Sequence, residues 1–252
     1  MKRHLLLGAA LALLAAAPAI AAAPKYIADA VAQSTRPADQ TALDTERKPA
    51  ETVAFAGIKP GMKVMDLLPG QGYFTRIFSG VVGDKGWVYA YFPTETDSFL
   101  RKKIGPDAKI ERLFDSVPHT SIIHASIMKI AAPESLDVVF TAQNYHDFHD
   151  SFFGPADLAV VNKAIYDALK PGGYYVVIDH SAAKGSGLTA TDTLHRIDEE
   201  TLKKEVEAAG FKLVAEANFL RNKEDARDKN VFDAAIRHKT DQFVLRFQKP
   251  KH

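Results

Sequence analysis

Short apolar runs alternate with amphipathic segments along most of this chain. Continuous apolar runs, such as residues 135–141, are typical of strands buried in a parallel sheet. Between these runs, segments with apolar residues at helical spacing predict helices, for example Tyr73 to Val82. We therefore predict an α/β fold with a doubly wound, seven-stranded, mainly parallel sheet and additional helices at the N-terminus.

The predicted elements also indicate where a ligand would bind. Strands are predicted at residues 63–68, 87–92, within 121–130, and at 135–141, 174–179, 212–217 and 240–248. Helices are predicted at residues 51–57, 73–82, 95–103, 156–169 and 198–209. Ligands of such sheets bind outside the carboxyl ends of the strands. The loops after Leu68, Thr141 and Asp179 are therefore the candidate site.

The loop after the first strand has the pattern of a nucleotide-type binding loop. The strand carries Asp66 near its end, and Gly70 and Gly72 precede the helix that begins at Tyr73. Glycines allow the backbone to pass close to a ligand, and the helix N-terminus presents free N–H groups beside it. We predict that this loop binds a nucleoside.

Composition narrows the classes of function. The chain has 252 residues, of which 46% are hydrophobic and 25% charged, and its formal net charge is +1. This near-neutral balance gives no support to a nucleic-acid partner. The chain has no cysteine, which excludes disulfides, thiolate metal sites and cysteine nucleophiles.

The N-terminus has the pattern of a secretory signal. A basic segment, Met1 to His4, precedes an apolar run from Leu5 to Ile20 and three alanines. We predict a signal peptide at residues 1–23 and a single domain at residues 24–252. The mature protein is expected to be periplasmic or secreted, without stable membrane association after cleavage. An uncleaved membrane anchor is the alternative.

Several sequence blocks resemble a known family. The blocks are Leu68–Phe74, Gln143–His149, Leu169–Gly173, Asp179–Ser181, Asp192–Asp198 and Lys239–Phe243. In this order they are similar to the class I S-adenosylmethionine-dependent methyltransferases, across roughly residues 48–248. More narrowly, the chain resembles an exported group of predicted methyltransferases.

This resemblance implies a Rossmann-like methyltransferase fold, S-adenosylmethionine as cofactor and a small-molecule acceptor. The residues implied in cofactor binding are Asp66, Leu68, Gly70, Gly72, Tyr73 and Glu95. Two positions depart from the family. The family has glycine where this chain has Leu68, and an acid at the end of the second strand where this chain has Phe92. The nearest acid is Glu95.

Histidines cluster in the two loops that follow the fourth and fifth strands. We assign His146 as a general base, with Asn144 and His180 positioning the acceptor, because a neutral imidazole accepts protons near pH 7. Potential metal ligands also lie here, namely His146, His149, His180 and His195, with oxygen atoms from Asp147, Asp179 and Asp198. Since the sequence establishes no third neighbouring ligand, we assign no metal site. Hydrogen-bonded structural histidines are the remaining alternative.

We therefore expect an S-adenosylmethionine-dependent methyltransferase that acts on a small acceptor. The alternative is a non-catalytic exported module on the same fold that binds a small ligand or a metal. Leu68, Phe92 and the predicted export favour the alternative, since the cofactor is made inside the cell. The glycine loop and the order of the sequence blocks favour the enzyme.

Overall fold

Seven strands form one mixed sheet in a computed structural model that describes residues 23–107, 109–153 and 156–251. The strands β1 to β7 are Lys63–Leu67, Trp87–Pro93, Thr120–Ala125, Leu136–Ala142, Leu169–His180, Lys212–Ala217 and Gln242–Gln248. Their order is β3-β2-β1-β4-β5-β7-β6. Strands β1 to β5 pair in parallel, and β7 runs antiparallel to both β5 and β6. The carboxyl ends of β1, β4 and β5 therefore lie at one edge.

Helices connect the strands and precede the sheet. The helices α1 to α9 are Lys25–Val31, Ala38–Thr41, Asp44–Arg47, Pro49–Ala56, Tyr73–Val82, Asp97–Ile104, Leu158–Ala168, Thr191–Leu194 and Glu199–Ala208. Four of them lie before β1, as predicted for the N-terminal part of the domain. No helix among the residues described here is both long and apolar enough to cross a membrane.

Helix α5 shows how the local sequence positions the candidate site. It begins after Gly72 and ends at Gly83, and both glycines have left-handed backbone conformations that other residues adopt at a cost. Its apolar stripe, which includes Ile77 and Phe78, is buried against the sheet. The helix therefore has fixed ends, and its N-terminus lies directly after the glycine-bearing loop.

Apolar side chains of the central strands form a core on each face of the sheet. Val64 of β1 packs on the face that also buries side chains of α1, α4 and α5. Met65 packs on the opposite face with side chains of α7 and α9. This alternation follows from the two-residue period of a strand. Helices thus cover both faces of the sheet, which is the arrangement of a doubly wound fold.

The fold prediction is confirmed; the bounds of several elements differ by one or two residues, and the start of β5 differs by five. This strand starts at Leu169 rather than residue 174, because Leu169 already pairs with Leu136 of β4. The predicted signal peptide falls on residues 1–23, of which 1–22 lie outside the described residues, so it stays a prediction. The single-domain assignment also stays a prediction.

Candidate functional site

The glycine-bearing loop, residues 68–72, connects β1 to α5 at the carboxyl edge of the sheet. Three of its residues adopt left-handed backbone conformations, with φ of 58° at Leu68, 56° at Gly70 and 79° at Gly72. Open space lies beside Gly70, where an added Cβ would meet no atom within 4 Å. A ligand can therefore approach the backbone at Gly70, next to the N–H groups at the start of α5.

Gly72 is constrained by packing as well as by conformation. An added Cβ would lie 2.5 Å from the ring of Phe114. Phe114 in turn packs with Phe92, with 6.0 Å between ring centroids. Phe92 thus belongs to a small apolar cluster at the position where the family has an acid. The sequence did not indicate Phe114, because it lies in a segment without helical or strand periodicity.

Asp66 lies buried near the end of β1, two residues before Leu68. Its carboxylate accepts a hydrogen bond of 2.6 Å from the hydroxyl of Thr75 in α5. Burial raises the pKa of Asp66 to about 7, although the Thr75 hydrogen bond and the Arg47 guanidinium favour the charged form. This carboxyl group therefore changes its charge near neutral pH, beside the glycine-bearing loop.

The N-terminal helices α2 and α3 contact the glycine-bearing loop and the start of α5. The amide of Gln40 donates a hydrogen bond of 2.9 Å to the carbonyl of Gln71. The hydroxyl of Tyr73 donates one of 2.6 Å to Asp44, and the Arg47 guanidinium lies 4.7 Å from the Tyr73 ring centroid. Tyr73, assigned to the cofactor site, thus has its hydroxyl engaged by α3. The sequence did not indicate these contacts, which join residues far apart in the chain.

Glu95, the acid nearest to the end of β2, is held by the segment that follows β3. Its carboxylate accepts hydrogen bonds from the Ser126 hydroxyl at 2.5 Å and from the Ile127 N–H at 3.1 and 3.0 Å. These bonds tie the ends of β2 and β3 together. Its implied role in cofactor binding stays a prediction.

Asn144 joins the loop after β4 to the glycine-bearing loop. Its amide donates a hydrogen bond of 3.3 Å to the carbonyl of Leu68 and one of 2.7 Å to that of Ala142. The preceding residue, Gln143, has a left-handed φ of 64°, and its amide donates to the Gln242 side chain at 3.0 Å. The loops that follow β1 and β4 are thereby in direct contact, as their shared edge predicts.

His146 is buried between two carboxylates in a short 3-10 helix, His146–His149. Its Nδ1 lies 2.8 Å from Asp179, and its Nε2 lies 3.1 Å from Asp147. Burial lowers the pKa of His146, but the charges and hydrogen bonds of Asp179 and Asp147 outweigh it and raise the pKa to about 10. His146 is therefore protonated at neutral pH in this arrangement.

His180 has the opposite electrostatic environment. Its Nδ1 lies 2.8 Å from the Thr240 hydroxyl, and burial lowers its pKa to about 3. His180 is therefore neutral at pH 7, with its ring centroid 6.0 Å from that of His146. His149 instead contacts Glu205, at 3.1 Å, although it belongs to the same short helix as His146.

Four potential metal ligands, one of which is His146, lie close together. One nitrogen or oxygen atom from each of His146, Asp147, Asp150 and His195 lies within 4.8 Å of all the others. Sequence reasoning considered the two histidines and Asp147 but missed Asp150. The available signal was its spacing, because His146 and Asp150 are four residues apart.

A cavity of about 360 Å³ opens beside the carboxyl end of β5. Residues of both charges line it, among them Ser181, Asp198, Glu199, Arg221, Arg227 and Asp241. A second, much smaller cavity of about 10 Å³ lies between Arg47, Phe74 and Gln143, close to the loop after β4. The larger cavity has the size of a small-molecule site, and its lining would suit a polar ligand.

Known proteins share parts of this sequence. No protein-family model matches the chain. The chain is 33% identical over 136 residues to a ubiquinone/menaquinone biosynthesis C-methyltransferase of Shewanella woodyi, covering 53% of this chain and 48% of that protein. It is 29% identical over 196 residues to the corresponding enzyme of Shewanella oneidensis, covering 77% and 67%. The first alignment thus spans about half the length of its relative.

Solved structures share the fold. An S-adenosylmethionine-dependent methyltransferase from Aquifex aeolicus superimposes with a TM-score of 0.55 at 18% identity, covering 86% of this chain and 100% of that one. At this identity the likeness concerns the fold. The chain therefore has the fold of this S-adenosylmethionine-dependent methyltransferase, and parts of its sequence are similar to the two C-methyltransferases.

Proposed function

We propose that this chain is an S-adenosylmethionine-dependent methyltransferase that acts on a small-molecule acceptor outside the cytoplasm. The observation that carries the proposal is the glycine-bearing loop, open beside Gly70 and bonded through Leu68 to Asn144 of the next loop. A donor site and an acceptor site would thereby be neighbours. Similarity to C-methyltransferases supports the enzyme over a non-catalytic binding module.

The residues of the loop fit the proposed cofactor. Bound S-adenosylmethionine supplies an electrophilic methyl group on a sulfonium centre. Gly70 leaves space on the backbone that a Cβ would fill, and the first N–H groups of α5 lie beside it. Asp66 supplies a negative charge near the loop once its carboxyl group is ionised. The chain's main task in such a displacement is to align donor and acceptor.

The catalytic roles of His146, Asn144 and His180 stay predictions. Because His146 is protonated between Asp179 and Asp147, it is better suited to holding these loops than to accepting a proton. Asn144 already contacts the glycine-bearing loop, which supports a positioning role. His180 is neutral, and its ring lies close to the ring of His146.

Calorimetry of the purified protein with S-adenosylmethionine tests the cofactor site. Gly70→Ala should weaken binding by roughly tenfold or more, because the new Cβ points into the space left for the ligand. Gly83→Ala is the matched control at the other end of α5. Gly83 has a φ of 58°, close to the 56° of Gly70, and an added Cβ there also meets no atom within 4 Å. Because Gly83 also has a ψ of −163°, in a region essentially restricted to glycine, Gly83→Ala imposes at least as much backbone strain as Gly70→Ala.

Equal affinities of the two glycine variants would remove this loop from the site. If neither they nor the unaltered protein bound S-adenosylmethionine, the non-catalytic alternative would replace the enzyme. For the acceptor, formation of S-adenosylhomocysteine is the measurement. Intermediates of ubiquinone and menaquinone biosynthesis are the first compounds to assay, since the relatives are named for that pathway.

A further inference from the structure

The cluster of His146, Asp147, Asp150 and His195 lies where two loops meet at the carboxyl edge of the sheet. The first three residues belong to the turn after β4, and His195 follows α8. His146 Nε2 lies 3.1 Å from an Asp147 oxygen. His195 Nδ1 lies 3.6 Å from that same oxygen and 3.7 Å from an Asp150 oxygen. Two imidazoles and two carboxylates thus direct donor atoms at a shared point.

The burial of Asp150 and the lack of hydrogen bonds to its carboxylate, within the part of the chain that the structure describes, indicate a bound cation. The residue is 1% exposed, and neither of its carboxylate oxygens has a hydrogen-bond partner among the described residues. A buried carboxylate without a donor carries a desolvation cost of about 1–3 kcal/mol or more. Asp147, another carboxylate, belongs to the same cluster and adds repulsion. A cation between them would neutralise both.

A neighbouring carboxylate orients His146 toward the cluster. Asp179 accepts from His146 Nδ1 at 2.8 Å, and it also accepts the backbone N–H groups of His146 and His180, each at 2.8 Å. This arrangement fixes the imidazole ring and leaves Nε2 facing the cluster. Metal-binding histidines are commonly held in this way by a second carboxylate.

His195 is held in place by its backbone. It adopts a left-handed conformation with a φ of 53°, and its N–H donates to the Thr191 carbonyl at 2.9 Å. The ring of Phe232 packs against it, with 5.1 Å between centroids. A residue other than glycine in this conformation costs of order 1 kcal/mol, and such strain concentrates at functional sites.

We propose that His146, Asp147, Asp150 and His195 bind a divalent transition-metal ion. Two imidazoles with two carboxylates suit Zn²⁺, Fe²⁺ or Mn²⁺ better than Mg²⁺ or Ca²⁺, which prefer oxygen ligands alone. The two carboxylates balance the charge of the ion. The ion takes the place of the proton on His146 Nε2, so metal binding releases a proton. Ligands about 2.1 Å from a metal lie roughly 3–4 Å apart, so the observed spacing needs only a small contraction.

The site does not depend on methyl transfer, but its place in the fold is informative. His146 follows Asn144 by two residues, and Asn144 contacts the glycine-bearing loop. Asp147 and His195 retain 18% and 24% side-chain exposure, so solvent reaches one side of the cluster. A metal here would lie on the side of the fold that we propose for the acceptor.

Metal binding to the purified protein tests this inference. After treatment with EDTA, calorimetric titration with Zn²⁺ or Mn²⁺ should show one ion per chain, and Mg²⁺ should bind at least roughly tenfold more weakly. Asp150→Asn and His195→Gln should each lower the affinity by roughly tenfold or more. His149→Gln is the matched control, because His149 lies in the same turn but contacts Glu205 instead.

A second measurement separates metal binding from loss of folding. Metal should raise the melting temperature of the unaltered protein and of His149→Gln, and at the same metal concentration it should raise that of Asp150→Asn by less. Without metal, Asp150→Asn should be no less stable than the unaltered protein, because it removes a buried carboxylate that accepts no hydrogen bond from the described residues.

The inference is overturned if Zn²⁺ and Mn²⁺ show no saturable binding, or if His149→Gln and Asp150→Asn bind them equally well. S-adenosylmethionine binding is measured on the same samples. Its absence would contradict the proposed function and leave a positive metal result standing.

Discussion

Leu68 departs from the family pattern in its side chain but not in its backbone. With a φ of 58°, it takes the left-handed conformation that a glycine adopts freely. Its carbonyl accepts from Asn144, and its N–H donates to the Tyr91 carbonyl at 3.0 Å. The side chain is half-buried against the core. The loop therefore keeps its shape at the expense of strain at one residue.

Replacing Leu68 by glycine should tighten binding of S-adenosylmethionine. The change removes the exposed part of a side chain beside the proposed cofactor path, which is worth roughly tenfold in affinity. Relief of the positive φ stabilises the free and the bound protein alike. Leu68→Asn is the control, because asparagine tolerates the left-handed conformation while keeping a side chain of similar length. Calorimetry compares the two. Equal gains would show that removing the side chain is not the cause. A lower free energy of unfolding for Leu68→Gly, without tighter binding, would show that Leu68 serves the packing of the core.

The buried Asp66 should make stability depend on pH. Its pKa is 3.8 in the reference state and about 7 in the fold, so the folded chain holds the proton more tightly. The free energy of unfolding therefore falls as pH rises from about 4 to about 7. The asparagine side chain does not titrate, so the free energy of unfolding of Asp66→Asn does not fall in this way. Relative to the unaltered protein, the variant should therefore gain up to about 4 kcal/mol of stability across that pH window.

Denaturant unfolding at several pH values measures this difference. Asp228→Asn, at an exposed position, should follow the unaltered protein throughout the range. Parallel curves for Asp66→Asn and the unaltered protein would contradict the assigned environment of Asp66.

Helices and strands were predicted correctly where residues that end such elements, such as glycine, stand on both sides of a periodic apolar pattern. Helix α5 occupies the predicted residues, 73–82, because a glycine stands at each end of a continuous apolar stripe. Strand β6 also matches its prediction, 212–217. The fifth strand was predicted to start only at Tyr174, because a Pro-Gly-Gly sequence precedes it and the helix before it was predicted to extend to Leu169. The extended conformation of the residues before Tyr174 follows from pairing with β4, which no local pattern reveals.

The sequence predicted where in the fold the candidate site lies, but it did not predict which side chains contact one another there. The rule for parallel sheets located the loops after β1, β4 and β5, and the Asn144–Leu68 hydrogen bond joins two of them. The carboxylates that surround His146 could not be chosen from sequence. Asp179 lies 33 residues away and Asp150 only four, and acidic residues at strand and helix ends are common for capping alone. Phe114 and Gln40 reach the glycine-bearing loop from segments with no distinguishing pattern.

At the scale of the whole molecule, the N-terminal helices and the last strand both contact the loop after β4. Arg47, from the N-terminal helices, donates to the Gln143 side chain at 3.4 Å, and Gln143 contacts Gln242 of the last strand at 3.0 Å. The first described helix, α1, packs against α5, and its Ile27 is fully buried. The folded unit therefore includes α1. The position of signal-peptide cleavage matters for this reason, because a cut within α1 would remove part of the core.

Of the described residues, cleavage before Pro24 would remove only Ala23 from this packing. Pro24 is the N-cap of α1, and its carbonyl accepts the N–H groups of Ile27 at 2.9 Å and Ala28 at 3.2 Å. A chain that begins at Pro24 should therefore match the full chain in stability within about 0.5 kcal/mol. A chain that also lacks residues 24–33 should lose roughly 3–5 kcal/mol, because Ile27 and Ala30 leave the core.

We expect the mature protein to begin near Pro24 and to be found outside the cytoplasm. The basic segment, the apolar run of residues 5–20 and the alanines that follow motivate this prediction. N-terminal sequencing of protein recovered from the cell envelope is the measurement. A start within α1 would conflict with the burial of Ile27, since that helix would be cut. An intact Met1 on cytoplasmic protein would contradict export, and it would also remove the question of how the cofactor reaches an enzyme outside the cell.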